Sequence, residues 1–125
     1  MWTDEWIGLP YQSLGRGPES YDCLGLFLAV QRARYGRILP DPLCTMSEAA
    51  RRRIVDASMP LWRRVDHAQE GDAVLFRVRG MVLHVGLALG PQLMLHVEDE
   101  AASVIEDFAS VTWGQRLEGI YTYAG

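Results

Sequence analysis

Residues 21–27 read Tyr21-Asp22-Cys23-Leu24-Gly25-Leu26-Phe27, and they place a cysteine where a helix is predicted to begin. Asp22 is a good N-cap residue and Gly36 a typical stop signal, so a helix is predicted over residues 22–35. A thiol in the first turn of a helix lies near unpaired backbone N–H groups and the positive end of the macrodipole, which favour the nucleophilic thiolate. Cys23 is therefore a candidate nucleophile. The alternative is a small buried apolar residue, since cysteine is among the most buried residue types.

Composition and charge narrow the class of protein. The chain has 125 residues, 49% of them hydrophobic, so residues 1–125 are predicted to form a single domain with its own core. The net charge of −4 argues against a nucleic-acid-binding surface, which is usually basic. No apolar stretch approaches the ~20 residues that span a bilayer, so no membrane partner is expected. The first residues lack a signal-peptide pattern, and we expect the chain to stay in the cytoplasm or to leave it by a route that needs no signal.

Helical patterns come first along the chain, and strand patterns follow them. Besides the central helix, helices are predicted at residues 2–8 and 48–57. Runs of β-forming residues separated by turn residues lie at 62–65, 73–79, 81–89, 92–98, 103–108 and 117–124. We expect an antiparallel meander of about five strands with the N-terminal helices packed on one face, which is an α+β fold.

Two of the three histidines lie in neighbouring predicted strands. His84 occurs in MVLHVGLAL and His96 in QLMLHVE, and Gly90-Pro91 is expected to join the two strands as a hairpin. Each histidine is six residues from position 90, near which the turn is expected to be centred, so the two side chains are predicted to lie close to opposite one another on one sheet face. Such a pair is either a hydrogen-bonded core pair or a catalytic base beside the residue that orients it. His67 lies in a polar loop and is predicted to be exposed.

A cysteine at a helix start and histidines on a facing strand pair suggest a papain-like Cys–His–X triad. Cys23, His84 and His96 could instead bind zinc, but neither a fourth ligand nor a catalytic carboxylate occurs at a standard spacing. The two cysteines, Cys23 and Cys44, are too few for a disulfide framework, and neither belongs to a CxxC pair.

The sequence resembles the NlpC-type cell-wall cysteine peptidases, in particular the short branch encoded with phage tails. The matching segments, in chain order, are Trp6-Ile7-Gly8-Leu9-Pro10-Tyr11, Tyr21-Asp22-Cys23-Leu24-Gly25-Leu26, Glu70-Gly71-Asp72-Ala73-Val74-Leu75-Phe76, His84-Val85-Gly86-Leu87-Ala88-Leu89-Gly90 and Met94-Leu95-His96. The resemblance covers nearly the whole chain and implies a papain-like fold. Two positions depart from the family pattern. Leu24 stands where many members have a serine that contacts substrate, and Gly15-Arg16-Gly17 matches the paired glycines only loosely.

The resemblance also implies roles for five residues. Cys23 would be the nucleophile, His84 the general base and His96 the residue that orients His84. Tyr11 matches a tyrosine that lies near the nucleophile and helps shape the substrate site. Asp22 matches an aspartate that helps to hold the amine of the stem peptide in some relatives. No metal or organic cofactor is implied.

The function implied by the resemblance is cleavage of a peptide bond in peptidoglycan, usually the γ-D-glutamyl–diaminopimelate bond, by a phage tail-associated cell-wall hydrolase. The stem peptide would be the substrate, and other phage tail proteins would be partners. Two alternatives stay open. One is a structural tail-assembly protein with the same fold and little or no hydrolase activity, and the other is an acyltransferase or amidase with the same cysteine chemistry.

Overall fold

The computed structural model describes residues 1–41, 59–78 and 81–125. Its helical segments are a 3-10 helix at Trp2–Trp6, α1 at Cys23–Tyr35, a 3-10 helix at Met59–Leu61 and α2 at Val111–Gly114. Its strands are β1 at Trp62–Val65, β2 at Ala73–Val78, β3 at Met81–Ala88, β4 at Leu93–His96, β5 at Val104–Asp107 and β6 at Leu117–Tyr123. The predicted helix at residues 48–57 and Cys44 lie outside the described residues. Among the described helices, none is long and apolar enough to cross a membrane.

The strands form one antiparallel sheet in the order β1-β6-β2-β3-β4-β5, so the predicted α+β class is confirmed. β2 to β5 follow one another as a meander, but β6 returns to lie between β1 and β2. The expected number of about five strands was wrong, since the sheet has six. The strand beyond the expected five is Trp62–Val65, one of the six β-forming runs in the sequence, and it pairs with β6 along its whole length. A pattern of four residues does not reveal this pairing, because the partner strand β6 lies at the other end of the chain.

The bounds of α1 follow from its two caps, as the sequence predicted. At the start, Asp22 Oδ1 accepts a hydrogen bond of 2.7 Å from the backbone N–H of Gly25. At the end, Gly36 adopts a left-handed backbone with a φ of 67° and donates its N–H to the carbonyl oxygen of Arg32. Cys23 is therefore held as the first residue of the helix.

A shared core fixes α1 against the sheet. The helix packs on β3 and β4. The buried residues that meet in this core include Leu26, Phe27 and Val30 from α1 and Leu87 and Leu95 from the sheet. Burial of side chains of this size stabilises the fold by about 1.5–3 kcal/mol each. The core thus positions the helix that begins with Cys23 on the two strands that carry His84 and His96.

Candidate active site

Cys23 is the first residue of α1, and its side chain is buried, with 5% exposed. The backbone N–H groups at this position have no acceptor within the helix. Because α1 packs on β3, the cysteine and His84 belong to one packed unit of helix and sheet.

Asp22 holds the loop before α1 through a buried carboxylate. Its Oδ1 accepts from the Gly25 backbone and also, at 2.8 Å, from Nη1 of Arg16. The Arg16 guanidinium also binds both carboxylate oxygens of Asp41, at 2.7 and 3.1 Å. Asp22 is only 1% exposed, and its Oδ2 has no hydrogen-bond partner within the described residues. A buried oxygen with no donor is a candidate acceptor for a ligand.

Tyr11 lies beside the segment that leads into the helix. It is half-buried and pairs in parallel with Tyr21, because Tyr21 donates its backbone N–H to Pro10 and accepts from Gln12. The loop between the two tyrosines lines a cavity of about 360 Å³ formed by residues 12–20. The predicted substrate-binding residue Tyr11 is thus placed near the start of α1.

His84 and His96 contact each other directly. Nε2 of His84 lies 2.8 Å from Nδ1 of His96, and their exposed fractions are 8% and 1%. The predicted hairpin and shared face are confirmed, and the two residues are offset by two positions from the directly opposite arrangement. The register pairs Leu87 with Leu95 and Ala88 with Met94, because the turn is centred on Pro91 rather than near residue 90. This two-residue difference keeps both rings on the same face.

Two residues that the sequence analysis missed complete the cluster. His96 Nε2 lies 3.0 Å from Glu106 Oε1, and Trp113 Nε1 donates to Glu106 Oε2 at 3.1 Å. The Trp113 ring also stacks on His84, with centroids 5.0 Å apart and planes 23° apart. Strand alternation offered a signal for Glu106, which lies two residues from Val104, the β5 partner of His96. No comparable pattern marked Trp113, which lies in the short α2.

Burial controls the protonation of His96. Removal from water lowers its pKa below the ordinary value, while the hydrogen bond and negative charge of Glu106, and the charge of Glu98, oppose the shift. The net direction is downward, so the ring is neutral near pH 7.

One group of described residues has metal-binding geometry. Donor atoms of His96, Glu98 and Glu106 lie within 4.8 Å of one another. However, the His96 nitrogens already contact His84 and Glu106, so a metal at His96 would displace one of them. A zinc ion bound by Cys23, His84 and His96 would likewise displace one of these contacts of His96. His67 is exposed, as predicted, and takes no part in the cluster.

Sequence comparison identifies relatives of this chain. Residues 8–122 match the NlpC/P60 family. The chain is 30% identical over 113 residues to the probable endopeptidase p60 of Listeria grayi, a match that covers 90% of this chain and 20% of that protein. It therefore spans about a fifth of the length of that relative.

Solved structures share the fold. A Staphylococcus aureus Mu50 protein described as similar to a lipoprotein of the NLP/P60 family has a TM-score of 0.72 and 25% identity, over 98% of this chain and 40% of that chain. The NlpC/p60 domain of the peptidoglycan hydrolase SagA has a TM-score of 0.67 and 23% identity, over 94% of this chain and 90% of that domain. The predicted family is confirmed by a match that extends over most of the sequence, and the chain belongs to the NlpC/P60 family.

Proposed function

We propose that the protein is a cysteine peptidase that hydrolyses a peptide bond in peptidoglycan stem peptides. The observation that carries the proposal is the 2.8 Å contact between His84 and His96, on the strands against which the Cys23 helix packs. A hydrogen-bonded partner holds an imidazole in one orientation, which a general base requires. Membership in the NlpC/P60 family and similarity to a probable endopeptidase support the same chemistry.

Each step has an assigned residue. The Cys23 thiolate attacks the carbonyl carbon of the scissile bond, and His84 gives its proton to the leaving amine, which produces a thioester. Water then attacks the thioester, His84 takes its proton, and the thiolate is released. Since Nε2 of His84 contacts His96, we assign these proton transfers to Nδ1. The backbone N–H of Cys23 is assigned to the oxyanion, because helix starts present such donors.

For the substrate, we propose the γ-D-glutamyl–diaminopimelate bond. The support is the resemblance of the cysteine and histidine segments to wall peptidases. Asp22 would hold the stem-peptide amine through Oδ2, the oxygen for which the described residues supply no donor. Tyr11 and the adjoining loop cavity would contact the peptide.

We also propose that the enzyme is made in the cytoplasm and acts at the wall as part of a phage tail. The support is Leu24, which follows the cysteine as in the phage-encoded branch. Particles purified from a lysogen that carries the gene are expected to contain the chain by mass spectrometry, and its absence from tails would refute this setting.

Digestion of purified peptidoglycan tests the enzymatic proposal. Wild type and the matched control Cys44→Ala are expected to release fragments with a new amine on diaminopimelate, whereas Cys23→Ala releases none. Equal release by Cys23→Ala would refute the nucleophile. No release by wild type from several wall types would favour the structural tail protein, and fragments joined to an added amine would favour an acyltransferase.

A further inference from the structure

We propose that Glu106 sets the direction of the hydrogen bonds in the His84–His96 pair and is thereby a positioning residue for the proposed base. Four side chains form a continuous chain of contacts. Trp113 Nε1 lies 3.1 Å from Glu106 Oε2, Glu106 Oε1 lies 3.0 Å from His96 Nε2, and His96 Nδ1 lies 2.8 Å from His84 Nε2. The consequence for turnover rests on the proposed function, whereas the consequence for the histidine rings does not.

Neutral His96 carries a single ring proton. Both of its ring nitrogens have a hydrogen-bond partner, but a neutral imidazole carries only one N–H. The ring is 1% exposed, and burial keeps it neutral near pH 7. One of its two contacts is therefore a donated bond and the other an accepted one.

Glu106 decides between the two arrangements. A carboxylate only accepts hydrogen bonds, so the contact between Glu106 and His96 requires the ring proton of His96 to be on Nε2. His96 Nδ1 then accepts, and His84 donates from its own Nε2. In neutral His84 this leaves the lone pair on Nδ1, the atom assigned to the thiol proton. With the His96 proton on Nδ1, neutral His84 would carry its proton on Nδ1 and could not take one from the thiol.

Trp113 keeps the carboxylate directed at His96. Its indole N–H occupies Oε2 and leaves Oε1 for the imidazole. The indole ring stacks on His84 and makes an edge contact with His96, with centroids 5.0 Å apart. The backbone N–H of Trp113 donates to Ser110 Oγ, which fixes the position of the residue. The Glu106 side chain is 40% exposed, so water competes for its oxygens and this anchoring is needed.

The histidine tautomers provide a readout that needs no substrate. Long-range 1H–15N spectra of the full chain distinguish protonated from unprotonated ring nitrogens, and exposed His67 serves as the internal reference. All spectra are recorded with Cys23→Ala, so that no thiolate holds His84 as an imidazolium. With Glu106 present, we expect His96 to be protonated on Nε2. In Glu106→Gln the amide oxygen is drawn to the Trp113 N–H and the NH2 group faces His96, so the proton of His96 is expected to move to Nδ1.

Matched variants separate this effect from charge and from packing. Glu98→Gln removes the same charge from an exposed neighbour and is expected to keep the wild-type tautomer and kcat/KM. Glu106→Gln is expected to lower kcat/KM by about 10- to 100-fold, the range known for loss of a partner that orients a metal-bound histidine. Adding Trp113→Phe to Glu106→Gln frees the amide oxygen to face His96, so the double variant is expected to recover part of both the tautomer and the activity.

Three results would overturn the proposal: an Nε2-protonated His96 in Glu106→Gln, a double variant no better than Glu106→Gln, or equal effects of Glu98→Gln and Glu106→Gln. Should Glu106→Gln fail to fold, Trp113→Phe alone must lower the fraction of His96 protonated on Nε2, and Glu106→Asp must retain it. A tautomer change without peptidoglycan cleavage by wild type would refute only the proposed function. Cleavage with an unchanged tautomer would refute only the role of Glu106.

Discussion

His84 Nε2 and His96 Nδ1 lie 2.8 Å apart although the two residues are not opposite one another in the β3–β4 pairing. Leu87 pairs with Leu95, so the histidines meet along a diagonal of the sheet. Diagonal neighbours on one face are separated by about 7–8 Å, which rings can bridge. A register change of one residue would place the rings on opposite faces and abolish the pair.

Reactivity of Cys23 tests the site without a substrate. In a Cys44→Ser background, we expect Cys23 to react with iodoacetamide at about pH 6, because a helix start and an imidazolium both stabilise thiolate. His84→Ala should slow this reaction while the variant remains folded. A labelling rate that drops roughly tenfold per pH unit from neutrality downward, as for an ordinary thiol, would contradict the nucleophile assignment.

Substitutions at His96 should have graded effects on kcat. His84→Ala is expected to lose nearly all turnover, and His96→Ala to lose about 10- to 100-fold because His84 is no longer oriented. His96→Asn should retain more activity than His96→Ala, since its amide oxygen can accept the hydrogen bond that His84 Nε2–H donates. Wild-type turnover in His96→Ala would show that His96 is a core residue only.

Asp22 has a capping role and a proposed substrate role that can be separated. Asp22→Ala should lower the free energy of unfolding by about 0.5–2 kcal/mol through loss of the cap, measured by urea denaturation. Asp22→Asn keeps an acceptor for the Gly25 N–H and should cost less. If Asp22 holds the stem-peptide amine, Asp22→Asn will slow cleavage of a free-amine peptide but not of its N-acetylated form. Equal losses on both peptides would contradict the amine contact.

Gly25→Ala has two opposing effects on the free energy of unfolding, one from helix propensity and one from packing. Propensity alone favours alanine by about 0.8–1 kcal/mol. A Cβ at Gly25, however, would collide with the carbonyl oxygen of Gly15, and no side-chain rotation relieves a backbone collision. We expect a net loss of about 1–3 kcal/mol in unfolding free energy. Gly90→Ala is the matched control, because a Cβ there meets nothing within 4 Å. Equal stability of the two variants would contradict this prediction.

The buried state of His96 predicts a pH dependence of stability. Its pKa is lowered in the folded protein by burial, against the opposing influence of Glu106. Between the unfolded pKa of about 6.5 and the lower folded pKa, only the unfolded chain binds this proton, so the free energy of unfolding falls as pH drops through that window. His96→Gln should flatten this decline as the pH drops below about 6.5, measured by urea denaturation at several pH values. An unchanged slope in His96→Gln would show that His96 does not contribute.

Local signals in the sequence were sufficient for part of the fold and the site. The bounds of α1 followed from Asp22 and Gly36, because caps act within one turn of a helix. The position of Cys23 and the shared face of His84 and His96 followed from the cap and from strand alternation. The caps depend only on neighbours in the chain, whereas the shared face also requires a β3–β4 register that differs from the predicted one by an even number of residues.

Tertiary structure decided which segments became partners. The return of β6 between β1 and β2, and the two-residue difference in the β3–β4 register, were chosen by packing across the whole sheet. The contacts of His96 with Glu106, and of Glu106 with Trp113, join three separate elements. Strand pairing and side-chain contacts between distant segments are selected by the burial and hydrogen bonding of the assembled core, and no local pattern specifies them. The sequence by itself therefore determined the chemical groups and the caps of α1, and only the assembled sheet determined the register that keeps the histidines on one face and the partners that orient them.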